Sequence, residues 1–149
     1  MTNSANKLTT IDVLSQAIYS LTAADGRLRG RATRTLGAVS MVHARTLKVL
    51  AEEGELSVKD LADRAETTAA GVTQLINGLQ QAGYVERVRS NNDRRIVNIR
   101  LTPSGLTCHL EREKKLNHIL NATLSDFDAE QLKQSAEIIR RLVHVLDQL

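Results

Sequence analysis

The side chains in this 149-residue chain best suited to chemistry are arginines and uncharged polar groups, and they are not spread evenly. Tyr84 to Leu101 carries Arg87, Arg89, Arg94, Arg95 and Arg100 against only Glu86 and Asp93, and a second run holds Arg27, Arg29, Arg31 and Arg34. A guanidinium stays charged at any physiological pH and presents N–H groups in a planar fork that matches phosphate and carboxylate oxygens. Between the two runs stand Thr68, Thr73, Gln74 and Asn77. The last three recur at steps that place side chains together on one helix face. Cation gathered in patches, beside a stretch of neutral donors and acceptors, is the footprint expected of contact with a nucleic acid.

Other chemistries find little support. No Ser-His-Asp, Cys-His, paired-carboxylate or phosphate-loop arrangement occurs, so the chain is not expected to be an enzyme. His43, His109, His118 and His144 lack tight metal-ligand spacing, and Cys108 is the single cysteine, so neither a metal nor a cofactor is expected. That one thiol fits a reducing cytoplasm. No apolar run follows a basic start, and no stretch approaches the roughly 18 apolar residues of a membrane span, so a cytoplasmic location without a membrane partner is expected. Net charge is only +3, so the distribution of charge says more than its sum.

The elements that must position these residues can be read in outline. Aromatic residues make up 2% of the chain and there is no Trp, so the core has to be aliphatic. Ile11, Leu14, Ile18, Leu21 and Leu28 predict a first helix from Thr9 or Thr10 to the mid-thirties, with a bend near Gly26 and Gly30. A second helix follows Ser40 and ends near Gly54. Ser57 with Asp60, flanked by Leu56 and Leu61, predicts a capping box and hydrophobic staple opening a short helix to Arg64. Thr68 caps another helix reaching Ala82, and Gly83 stops it. The period then changes: Tyr84–Val88 and Ile96–Leu101 predict two strands, with Val97, Ile99 and Leu101 alternating with Ile96, Asn98 and Arg100. The polar turn Arg89–Arg95 joins them, rich in residues that tolerate left-handed backbone. Thr102 and Pro103 open a helix to about Asn121, stapled by Leu101 and Leu106. Asp128 with Gln131 opens the last helix, whose Leu132, Ser135, Ile139, Leu142, Leu146 and Leu149 lie along one face.

The fold class is therefore mainly α with a small β-hairpin wing. A short helix, a turn and a second helix, followed by a hairpin, make a winged helix-turn-helix. The second helix of such a pair fits the DNA major groove, and the hairpin sets basic side chains beside it. We read residues 1–149 as one domain, with 40–101 as the DNA-binding part and 1–39 and 102–149 as a helical dimerisation part. Apolar seams on the terminal helices, which one chain cannot hide, support a homodimer. Two recognition helices then call for a near-palindromic double-stranded operator.

The stretches Leu56–Ala62, Gly71–Leu79 and Gly83–Arg87, followed by Asp93-Arg94-Arg95, Val97 and Leu101-Thr102-Pro103-Ser104-Gly105, resemble the MarR (multiple antibiotic resistance regulator) family. The resemblance covers the whole chain in layout and Leu47 to Gly105 in motif. It implies a triangular homodimeric transcriptional regulator, usually a repressor. In many such regulators a small, often anionic aromatic ligand binds between the dimerisation and DNA-binding regions and releases the DNA. It further implies that Asp93 orients Arg95 by a salt bridge while Arg95 enters the minor groove. Arg89 and Arg94 approach phosphates or solvent, and Arg87 is free to pair with a nearby acid.

The chain departs from the family pattern in the recognition helix. Ala69 and Gln74 stand where basic residues are frequent, and Thr68 to Gln81 contains no Lys or Arg. Base reading is then expected from Thr68, Thr73, Gln74 and Asn77. Gln and Asn can grip adenine bidentately and a Thr methyl can touch thymine, so an A·T-containing half-site is expected. Arg27, Arg31 and Arg34 share a face that serves solvent, phosphate or an anionic ligand, and His43 is a candidate lining residue for that ligand's crevice. Peroxide-sensing members carry an N-terminal cysteine, which is absent here, so Cys108 is read as packed. The alternative to a DNA-binding regulator is a winged-helix module that binds protein.

Overall fold

The computed structural model describes residues 2–34 and 39–149, with the side chains of 9–32, 34 and 39–149. Its helices are α1 (Thr2–Arg34), α2 (Met41–Glu53), α3 (Val58–Arg64), α4 (Ala69–Gln81), α5 (Pro103–Thr123) and α6 (Ala129–Leu146). Its strands are β1 (Leu56–Ser57), β2 (Val85–Arg89) and β3 (Val97–Leu101). By internal contacts the chain divides into two compact units, 1–110 and 111–149, with α5 running from the first into the second. No helix among the described residues is long and apolar enough to cross a membrane.

The first unit is organised by capping and by an aliphatic core. Ser40, Ser57 and Thr68 each stand in extended backbone, and their hydroxyls accept the amides of His43, Asp60 and Gly71. Each bond satisfies one of the four N–H groups that a helix start leaves without a partner. Leu47, Leu61, Val72, Ile76 and Ile99 are fully buried, and Leu50, Leu79 and Val85 nearly so. These positions come from α2, α3, α4 and the sheet, so burying them fixes the helix-turn-helix against the strands.

The structure corrects several expectations. Only the Ser57 half of the predicted capping box forms, because the Asp60 side chain, one methylene shorter than Glu, does not return to the Ser57 amide. Leu56 and Ser57 are not only a staple and a cap. They form β1, paired antiparallel with Ile99 and Asn98, so the hairpin becomes a three-stranded sheet of order β1-β3-β2. α1 begins at Thr2, earlier than predicted, and continues as helix through Gly26 and Gly30. Val97 alternates in step with the buried Ile99 but is itself 39% exposed. It pairs with Arg89 at the distal end of the hairpin, beyond the reach of the core.

Two close approaches lock the wing to its neighbours. Gly83 takes φ 80° and turns the chain from α4 into β2. Where β3 leaves the same end of the hairpin, the Thr102 hydroxyl donates to the Gly83 carbonyl at 2.6 Å and accepts the Gly105 amide at 3.0 Å. Gly105 lies so near the Tyr84 carbonyl that a β-carbon there would sit 1.9 Å from its oxygen. The Leu-Thr-Pro-x-Gly signature is thus a weld between the strand pair and α5.

In the second unit, α6 opens with both halves of the Asp128–Gln131 capping box. None of its residues is buried, and Leu132, Ile139, Val143 and Leu146 lie exposed.

Candidate nucleic-acid interface

Helix α4 buries Val72, Ile76 and Leu79 and thereby turns Thr73, Gln74, Asn77 and Gln80 outward. The candidate base readers fare differently there. Thr68 spends its hydroxyl on the Gly71 amide at 3.0 Å, so its first duty is to cap the helix. Thr73 donates its hydroxyl to the Ala69 carbonyl at 3.1 Å, which leaves its methyl as the group able to touch a thymine methyl. The Gln74 side chain is exposed and has no hydrogen-bond partner among the described residues. Asn77 is engaged: its Oδ1 accepts from the Arg87 guanidinium at 2.7 Å, and Gln80 Oε1 accepts from the same group. Arg87 was left open to pair with a nearby acid. It finds two amides instead, and it brings to α4 a positive charge that the helix's own sequence lacks.

The sheet carries a short polar network. Glu86 accepts from Arg100 Nε at 2.5 Å across β2 and β3, and Asn98 donates to Glu55 at 2.9 Å. The Glu86 hydrogen bond, more than its charge, raises the already high pKa of Arg100. Beyond this network Arg89, Arg94 and Arg95 are exposed and form no ion pair among the described residues. They are the wing's open cations.

The turn that carries them is ordered by its own hydrogen bonds. Ser90 N–H donates to the Ile96 carbonyl at 2.9 Å, and Ile96 N–H to the Asp93 carbonyl at 3.0 Å. Asp93 Oδ1 accepts the backbone amide of Arg95 at 2.9 Å. The implied Asp93–Arg95 salt bridge is therefore replaced by an Asx-type turn, since a carboxylate two residues away reaches the amide more directly than the end of a long side chain. Asp93 shapes the backbone on which Arg95 is mounted and leaves its guanidinium free.

A cavity of about 360 Å³ lies behind α4, lined by Arg29, Ala32, Ser40, Val42, His43, Thr67, Gly71 and Leu75. His43 Nδ1 lies 2.8 Å from Ser40 Oγ, and its Nε2 would stand 3.6 Å from a β-carbon placed on Gly78 of α4. A second depression, between α1 and α2, is lined by Leu21, Leu28, Arg29, Arg31, Met41 and Arg45 among others. Of the three candidate ligand residues, His43 lines the first space and Arg31 the second, whereas Arg27 lines neither. Arg29, which lines both, is the residue that sequence reasoning passed over. The four- and three-residue spacing grouped Arg27, Arg31 and Arg34 and left Arg29 outside. Its Nε lies 3.2 Å from Asp25, one helical turn earlier.

Comparison with known proteins agrees with this layout. The MarR family model matches residues 39–96. The HTH-type transcriptional regulator YwhA of Bacillus subtilis is 29% identical over 104 residues, which is 70% of this chain and 75% of that one. The transcriptional regulator BldR of Sulfolobus solfataricus superposes with a TM-score of 0.64 at 26% identity, over 97% of this chain and 96% of that one. Streptococcus pneumoniae FabT, solved in complex with DNA, shares the fold with a TM-score of 0.66 at 21% identity, over 91% of this chain and 98% of that one. With its hydroxyl-capped helix pair, its arginine wing and the Thr102–Gly105 weld, the chain carries a winged helix-turn-helix that matches the MarR family over residues 39–96, and it is similar to HTH-type transcriptional regulators over about 70% of its length.

Proposed function

We propose that this protein regulates transcription as a homodimer that binds a near-palindromic operator and represses until a small anionic aromatic ligand releases it. The observation that carries DNA binding is the pairing of α4, polar and uncharged on its outer face, with three unpaired arginines at the wing. A neutral helix is suited to reading base edges, whereas the cations supply the sequence-independent attraction of the phosphates. Gln74, Thr73 and Asn77 are the base readers in this reading, Arg95 is the minor-groove contact, and Arg89 and Arg94 meet phosphates. Residues 1–39 and 102–149 form the dimerisation part, because their exposed apolar positions need a partner.

The ligand reading rests on the cavity lined by His43 and Arg29. Its walls come from α1, α2 and α4, so an occupant there touches the recognition helix directly. Arg29 offers a cation to a carboxylate, and Val42 and Leu75 offer apolar surface to a ring.

The test is footprinting of the purified protein across genomic DNA, followed by fluorescence anisotropy on the recovered sites. A protected, near-palindromic site bound far more tightly than random duplex is expected. Absence of binding to any duplex at low salt would replace this reading with the protein-binding winged-helix module.

A further inference from the structure

Arg87 does more than fill a gap in charge. It sits on β2, outside the helix that reads the groove, yet its guanidinium donates to two side-chain carbonyl oxygens of that helix, Asn77 Oδ1 at 2.7 Å and Gln80 Oε1. A side-chain amide has one accepting end and one donating end, and guanidinium is a donor only. Whatever Arg87 holds must therefore be the oxygen, which leaves each NH2 group pointing elsewhere. The two residues are three apart on one helix face, and the planar fork spans them both.

We propose that Arg87 is a positioning residue that sets base preference, by locking Asn77 and Gln80 so that α4 presents donors and not paired donor–acceptor ends. This rests on the DNA-binding reading above and deepens it. An asparagine free to rotate grips adenine through N6 and N7, which needs its oxygen and its nitrogen aimed at the same base edge. With Oδ1 turned toward Arg87, Asn77 offers hydrogens alone. Guanine, whose N7 and O6 both accept, suits such a group, whereas the adenine N6 amino group opposes it. The simple expectation of adenine at every amide-read position is thus reversed at this one. Both amides and Arg87 are solvent-exposed, so the assembly lies at the surface that would meet DNA.

The experiment is selection from a pool of randomised duplexes by the wild-type protein, Asn77→Ala and Arg87→Met, with far-ultraviolet circular dichroism on each. Asn77→Ala should flatten preference at one position per half-site, which identifies the base that Asn77 reads. At that position the wild type should favour guanine over adenine, and Arg87→Met should move the ratio toward adenine by about tenfold. Arg87→Lys, which keeps the charge but lacks the fork, should move it in the same direction, whereas a purely electrostatic role would leave the ratio at the wild-type value. Should Arg87→Met fail to fold, the lysine variant decides. An unchanged ratio in the folded Arg87 variants, or an adenine preference in the wild type, overturns the proposal while leaving operator binding intact. Failure of the wild-type protein to enrich any duplex overturns the DNA-binding reading itself.

Discussion

Asp93 and Arg95 can cooperate through a side-chain ion pair or through the backbone, and substitutions at Asp93 separate the two. The Asp93 carboxylate takes the Arg95 amide at 2.9 Å, a bond that asparagine can also accept. Asp93→Asn should therefore keep most of the affinity for the operator, and Asp93→Ala should lose more of it. Equal losses in both would restore the ion pair. Arg95→Ala removes the open cation itself and should weaken binding by about 1–3 kcal/mol, and should flatten the dependence of log affinity on log salt by about one unit. Fluorescence anisotropy on one operator at several salt concentrations reads all three variants, and wild-type affinity and slope in Arg95→Ala would make it ordinary surface charge. Gly105 lends itself to a prediction of stability. A β-carbon 1.9 Å from the Tyr84 carbonyl oxygen cannot be accommodated by rotating a side chain, because the obstacle is backbone. Gly105→Ala should lower unfolding stability by about 1–3 kcal/mol or more, measured by denaturant titration.

At the scale of elements, the helix-turn-helix depends on a residue whose role its type conceals. Glu66, between α3 and α4, takes φ 52°, a left-handed conformation that costs a non-glycine residue about 1–2 kcal/mol. The Thr67 amide then reaches the Ala62 carbonyl at 3.0 Å and closes the turn. Glu66→Gly should raise the melting temperature by a few degrees, because the strain relieved exceeds the entropy lost, whereas Glu66→Val should lower it. A fall in melting temperature with glycine would show that the Glu66 side chain contributes contacts that outweigh the strain. The same turn shows why parts of the fold could be read in advance and others could not. Ser40, Ser57, Thr68 and Asp128 announced their helices because a cap is a local interaction between residues three apart. β1 was hidden because two residues have no periodicity, and only pairing with Ile99 and Asn98, more than forty positions away, makes them a strand. The arginines of the wing were legible as a group, but their division into paired Arg87 and Arg100 and open Arg89, Arg94 and Arg95 depends on which side chains the fold brings within reach. Arg29 was missed for the same reason: helical spacing says which residues share a face, not which face borders a cavity.

At the scale of the whole molecule, the exposed apolar positions of the terminal helices and the polar reading helix bear on one question, how many copies act together. Ile139 and Val143 of α6 are 56% and 52% exposed, so the chain's own fold does not depend on them. If they meet a second copy, Ile139→Glu combined with Val143→Glu should bury carboxylates against apolar surface, a cost that favours separation. Light scattering should then give a monomer whose circular dichroism remains that of the native helix content, and a dimer that survives both substitutions would place the interface elsewhere. The operator supplies an independent measure of the same geometry. Two recognition helices held by one dimer should address half-sites about one DNA turn apart, roughly 10 base pairs centre to centre. Inserting about 5 base pairs between the half-sites turns one of them to the opposite face of the duplex, so the wild-type protein should lose most of its preference over random DNA. The doubly substituted monomer should bind a single half-site weakly and be indifferent to the insertion. Spacing dependence that persists in the monomer would mean that the two half-sites are coupled through the DNA and not through the protein, and the dimer would then not be what sets the operator's symmetry.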